Sequence, residues 1–178
     1  LDREEMMEKA KAGAMFKGVF IAECYRKGKL IWTEVAENLT VNEGLDHMLA
    51  VALTGKTLIE PFYCVLFESD TTPLATHDYA APGYTEVNAA IDEATRPEYE
   101  DAVSSKQITN SANKATFTFN DTKTVYGAAL VGGSNTKGDT TDAATHVLLC
   151  SSKFASSRAV VDDDVINLTY TVTAADAG

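Results

Sequence analysis

The chain has 178 residues, 45% hydrophobic and 23% charged, enough for one domain with a real core and too apolar for wholesale disorder. Its 15 Lys and Arg against 26 Asp and Glu leave a net charge of -11, a surface that repels phosphate backbones and anionic lipid, so neither nucleic acid nor membrane is expected as a partner. No apolar run is long enough to span a bilayer and no apolar h-region opens the chain, so folding in a cytosol is expected.

Residues 1–15, LDREEMMEKAKAGAM, are charged and rich in helix formers, and predict a short helical or flexible arm ahead of a single β-rich domain over 16–178. FKGVFIAECYR, a KGK turn and LIWTEVAENLTV then predict a hairpin, because aromatic and β-branched residues flank a short turn containing glycine. In NEGLDHMLAVALTG, residues Leu45, Met48, Leu49, Ala52 and Leu53 recur at i, i+3, i+4, i+7 and i+8, one apolar face of a helix over about 42–54. Asn42 is placed to cap its start and Gly55 to end it in the left-handed conformation. His47 falls off the apolar stripe and is expected on the exposed polar face.

Gly55-Lys56-Thr57 has the letters that close a phosphate-binding P-loop, but Ala50 stands where the first glycine is needed. The triplet also ends a helix, where carbonyls and not N–H groups point outward, so a helix stop is expected.

PFYCVLFES predicts a buried strand. From Asp70 to about Lys106 the chain carries Pro73, Pro82 and Pro97 among small and acidic residues, a long and mostly irregular excursion with a short strand near YTEV. Loops of this length bind something or are disordered, and Tyr79, Tyr84 and Tyr99 speak against disorder. Within it, DEATRPEYEDA sets Arg96 among five acids. Two readings stand: a surface loop with a local ion pair, or a partner-contact loop carried by Tyr84, Arg96, Pro97 and Tyr99, residue types suited to interface hot spots.

From Gln107 the β signal persists. Ala115, Phe117 and Phe119 alternate with Thr116 and Thr118, as in a half-buried strand. TVYGAALVGG, a turn region over 132–145, HVLLCSSKF, SRAVV and VINLTYTVT follow, with Ile166, Leu168, Tyr170 and Val172 on one face of the last. Seven or eight short strands with one helix predict a mainly β fold, a β-sandwich or jelly-roll-like domain.

Little in the sequence carries chemistry. Cys24, Cys64 and Cys150 form no CxxC pair and lie in apolar runs, so buried free thiols are expected. His47, His77 and His146 are not at metal-ligand spacing to them or to one another. Gly133 to Gly138 resembles a phosphate loop until Asp139 follows in place of lysine; a hairpin loop is expected. Asp162, Asp163 and Asp164 could offer carboxylates to a hard cation but lack the spacing of a calcium loop, and predict a solvated turn. With no G-x-S-x-G elbow and acids too numerous to single out a catalytic pair, no enzyme activity, metal or cofactor is expected.

Taken in order, NLTVNEGLDHML, PGYTEV, DEATRP, ITNSANKATFTF, VYGAALVGGSNTKGD and FASSRAVVDDDVINLTYTVT resemble a family of small virion proteins of tailed bacteriophages, from about Asn38 to Thr173. The resemblance implies a structural protein of the decoration or cement type on the outer capsid surface, made in the bacterial cytoplasm. Its implied partners are the major capsid protein and neighbouring copies in a homo-oligomer. It lends no catalytic residues. The alternative is a carbohydrate- or receptor-binding module on a head fibre or tail, served by aromatic platforms in the 70–106 excursion; a glycan-cleaving enzyme is the third reading.

Overall fold

The structure is a computed structural model that describes residues 14–176. Residues 1–13, most of the expected arm, lie outside the described residues, and the first strand already begins at Ala14.

The hairpin forms as expected from β1 (Ala14–Arg26) and β2 (Lys29–Glu37). Lys27 and Gly28 at its tip have φ of 50° and 75°, the two left-handed residues that a tight turn between twisted strands requires. Asn38 then moves the chain to the second sheet, where β3 (Leu39–Thr40) pairs with a strand more than a hundred residues later. Helix α1 (Asn42–Thr54) follows, and Gly55, at φ 71°, ends it in the left-handed conformation. Gly55-Lys56-Thr57 is therefore the stop of a helix. Asn42 is not its cap: the helix starts after Val41 without a side-chain cap, and the Asn42 N–H is satisfied by the Ala75 carbonyl.

The remaining strands are β4 (Phe62–Phe67), β5 (Ala102–Ser104), β6 (Gln107–Thr109), β7 (Ala115–Thr118), β8 (Lys123–Gly132), β9 (Val147–Val160) and β10 (Val165–Asp176). HVLLCSSKF and SRAVV, read from sequence as separate segments, are one strand, β9. Its register against β8 shifts at two irregularities, so a long strand stays paired while it bends.

Two antiparallel sheets result. One runs β2-β1-β10-β6-β5, with β7 also paired to β10; the other runs β3-β9-β8-β4. The described residues are mainly β with one helix, consistent with a β-sandwich. Between the sheets lie Phe20, Cys24, Cys64, Phe117, Leu130 and Tyr170, among others. Ile166, Leu168 and Tyr170 share the inward face of β10 as their alternation predicts. A second cluster, including Val41, Tyr63, Val65, Tyr79, Val131 and Leu148, lies on the other face of the β4-β8-β9 sheet. Burial on both faces is why β4 reads as a continuous apolar run instead of an alternating one.

The 70–106 excursion supplies part of that outer cover. It runs along the free edge of β4, where the Val87 N–H bonds to Leu66, the Tyr99 N–H to Phe62, and the Cys64 and Glu68 N–H groups to Pro97 and Thr85. The strand expected near YTEV is reduced to a single bridge, Glu86 to Phe67. An edge that would otherwise template pairing with other chains is thus closed by the chain itself.

Candidate contact surface

Arg96 is the centre of the excursion and is 4% exposed. Its Nε and Nη2 hold the Glu86 carboxylate, with Nη2 2.7 Å from Oε2. Its Nη1 donates to the Tyr79 hydroxyl at 2.7 Å and to the Ser134 carbonyl at 3.0 Å, and Nη2 also reaches the Asp139 carbonyl at 2.9 Å. Every donor of the guanidinium fork is used. Burial opposes its charge, but the Glu86 carboxylate and the Tyr79 hydroxyl more than offset that and hold it firmly protonated. The loop once comparable to a phosphate cradle thus turns carbonyls toward Arg96, while Gly138 N–H donates to Glu86 at 2.9 Å. It is a clasp around an ion pair.

This corrects the partner-contact reading at two positions. Arg96 is buried and saturated within its own chain, and Tyr99, 7% exposed, faces the core and donates to the Tyr170 carbonyl at 3.1 Å. Tyr84 is partly buried and stacks on Phe67 with ring centroids 4.9 Å apart; Pro97 is half-buried, its carbonyl bound to β4. None of the four stands out from the surface as an anchor. The local ion pair of the competing reading does exist, but it is buried and Arg96 finds it ten residues back, at Glu86.

The Asp162–Asp164 turn is solvated only in part. Asp164 is fully buried, and Arg26 grips it with Nε on Oδ1 and Nη2 on Oδ2, each at 2.7 Å. The Arg26 guanidinium and the Val161 N–H hold its carboxyl below the usual range. This carboxylate closes the β9–β10 turn onto the β1–β2 hairpin.

Helix α1 reverses expectation. Leu45, Leu49 and Leu53 are 40%, 59% and 78% exposed, while Gly44 and His47 are buried. Gly44 explains the choice of face: a Cβ there would lie 2.3 Å from the Leu149 carbonyl oxygen, so only glycine lets the helix sit this close on β9. Glu43 fastens the same face, its Oε2 accepting the Leu148 N–H at 2.7 Å and the Tyr79 N–H at 2.9 Å. Burial raises its pKa, against the pull of those two bonds. His47 accepts the Ile59 N–H at Nε2, which leaves its proton on Nδ1, a buried donor with no partner. The three histidines, far apart in sequence, line one cleft of about 770 Å³ with Glu43, Asp46, Asp78 and Asp142. Among the described residues, no group of three or more His, Cys, Asp or Glu is placed to hold a metal ion.

No protein-family model matches the chain, and no curated protein matches it in sequence. Among the described residues, the Arg96 and Asp164 clusters are spent on internal ties, while a row of apolar side chains faces outward: the ladder Leu45, Leu49 and Leu53 on α1, with Leu58 beyond it, 46% exposed. Neither signal was legible beforehand, because periodicity marks a shared face without saying which face is covered.

Proposed function

We propose that this chain is a non-enzymatic structural protein of a tailed-phage virion, one that decorates or cements the outer capsid surface. The observation that carries the reading is the outward leucine ladder of α1 on a scaffold whose buried charges Arg96, Glu86, Asp164 and Glu34 are engaged within the chain. Exposed apolar rows of this kind mark contact surfaces. The resemblance of the segments between Asn38 and Thr173 to small virion proteins gives the setting, with the major capsid protein and neighbouring copies as partners. The charge of -11 disfavours a lining against packaged DNA. A copy that bridges neighbouring capsomers stabilises the assembled shell by mass action, and several contacts made at once raise avidity. The glycan-binding alternative draws less support, since Tyr79 and Tyr99 are buried and Tyr84 is stacked inside.

Particles lacking the protein are expected to assemble but to release DNA at lower temperature, with resistance restored by adding purified protein. Replacing Leu45, Leu49 and Leu53 together by Gln is expected to abolish that restoration while the circular-dichroism melt is unchanged. Co-purification with isolated tails and never with DNA-filled heads would overturn the capsid reading.

A further inference from the structure

A groove of about 530 Å³ opens where the space between the two sheets reaches solvent, within the range of roughly 300–1,000 Å³ typical of binding clefts. Leu58, Phe62, Ile108, Leu130, Leu149 and Val172 line it. Phe62, Leu149 and Val172 also pack against the main core, so the groove is the core's open margin and not a surface dimple. Its apolar lining is incompletely covered: Leu58 is 46% and Ile108 36% exposed. Phe16 extends the same margin. It alternates with buried Gly18, the register partner of Val172, and is itself 47% exposed.

Three carboxylates, Glu60, Glu98 and Asp101, stand on the groove's rim, all exposed, and among the described residues no lysine, arginine or histidine lines it. Burying the slot under a neutral or acidic partner would strip water from these acids without compensation. A cation beside the apolar group would supply it. A second copy of this chain, at -11, brings mostly charge of the wrong sign. We infer that the groove is a docking site for a basic segment of a different protein, one whose apolar side chains enter the slot while flanking Lys or Arg residues meet Glu60, Glu98 and Asp101. This holds whatever particle or complex the partner belongs to, and stands apart from the virion reading.

The test is methyl NMR of the whole chain at physiological salt, where unspecific attraction is screened beyond about 8 Å. Three synthetic octapeptides serve as probes: alternating Lys-Leu, Glu-Leu and Lys-Ser. The Lys-Leu peptide is expected to shift the methyls of Leu58, Ile108, Leu149 and Val172 saturably, and the other two to leave them in place. The triple variant Glu60→Lys, Glu98→Lys, Asp101→Lys should bind the Lys-Leu peptide ~10-fold or more weakly, since like charges at a contact cost several kcal/mol. A charge-matched control, Glu37→Lys, Asp46→Lys, Asp162→Lys, should bind it as the parent does. All six carboxylates are exposed, so both variants keep the fold. Absence of binding, equal binding of the Glu-Leu peptide, equal loss in the control, or shifts confined to Leu45, Leu49 and Leu53 would each overturn the assignment. Capsid rebinding by the same rim variant is a separate readout: its survival alongside lost peptide binding leaves the virion reading standing, with the shell contact on α1 and apart from the groove.

Discussion

At Arg96 one side chain joins three segments: the excursion through Tyr79 and Glu86, its own backbone neighbours, and the 133–139 loop through Ser134 and Asp139. Removing one member of a buried ion pair strands the other, at about 3–5 kcal/mol. Arg96→Ala is therefore expected to cost that much in urea unfolding, and Arg96→Lys most of it, because an ammonium cannot reproduce the planar fork. A loss below about 1 kcal/mol, the range of exposed pairs, would mean that the clasp is dispensable. For the same reason an Arg96 and Tyr99 double alanine variant would report on folding and not on partner contact. His47 makes a second case. Burial, and after it the charge of Lys56, lowers its pKa below the ordinary 6.5. The unfolded chain then binds the proton more readily, so stability is complete above pH 6.5 and falls as pH drops from there toward the lower folded value. The slope of melting temperature against pH in this window should flatten in His47→Gln. An unchanged slope would assign it to other groups.

Among elements, α1 shows most plainly how packing overrules pattern. Its 3.6-residue apolar repeat is real, yet the face laid on β9 is the one with Gly44 and His47, since only there can the backbones approach. Gly44→Ala should push the helix away from Leu149 at a cost of about 1–3 kcal/mol, the usual scale for overpacking, although alanine is the better helix former. A neutral or stabilising result, read from chemical denaturation, would show that the helix can shift without loss. The excursion is the other instructive element. Its prolines and short runs keep it irregular until β5 at its end, yet its N–H and C=O groups pair along β4, as buried backbone must.

On the scale of the whole molecule, the two sheets keep the cysteines apart. Cys64 and Cys150 both pair with Leu130 from opposite sides, which puts them two strand spacings, about 10 Å, apart and beyond the ~7 Å Cα limit of a disulfide. All three thiols are free and buried, and burial pushes the Cys24 and Cys150 pKa values up to about 12. Native mass spectrometry should find three unmodified thiols, alkylating reagents should label them only on unfolding, and reductant should leave the melting temperature unchanged. Rapid labelling of the native protein would mean that the sandwich opens readily.

Much of this architecture is written locally. The two-residue alternation of Ala115, Phe117 and Phe119 and of Ile166, Leu168 and Tyr170, the 3.6-residue repeat of α1 and the stop at Gly55 all report on backbone geometry within a few residues, and each is legible from the sequence alone. Other features depend on what meets them from far along the chain: α1 is laid on β9 about a hundred residues later, Glu86 finds Arg96 and the 133–139 loop, and Asp164 finds Arg26. Periodicity states which side chains share a face, but the choice of covered face, the sheet order and the partners of buried charges are set by long-range packing, where the cost of an unpaired group is decided. That is why most of the long strands could be read from the sequence by itself, while the continuity of β9, the short β5, the outward leucines, the buried Arg96 and the acid-rimmed groove came only with the tertiary structure.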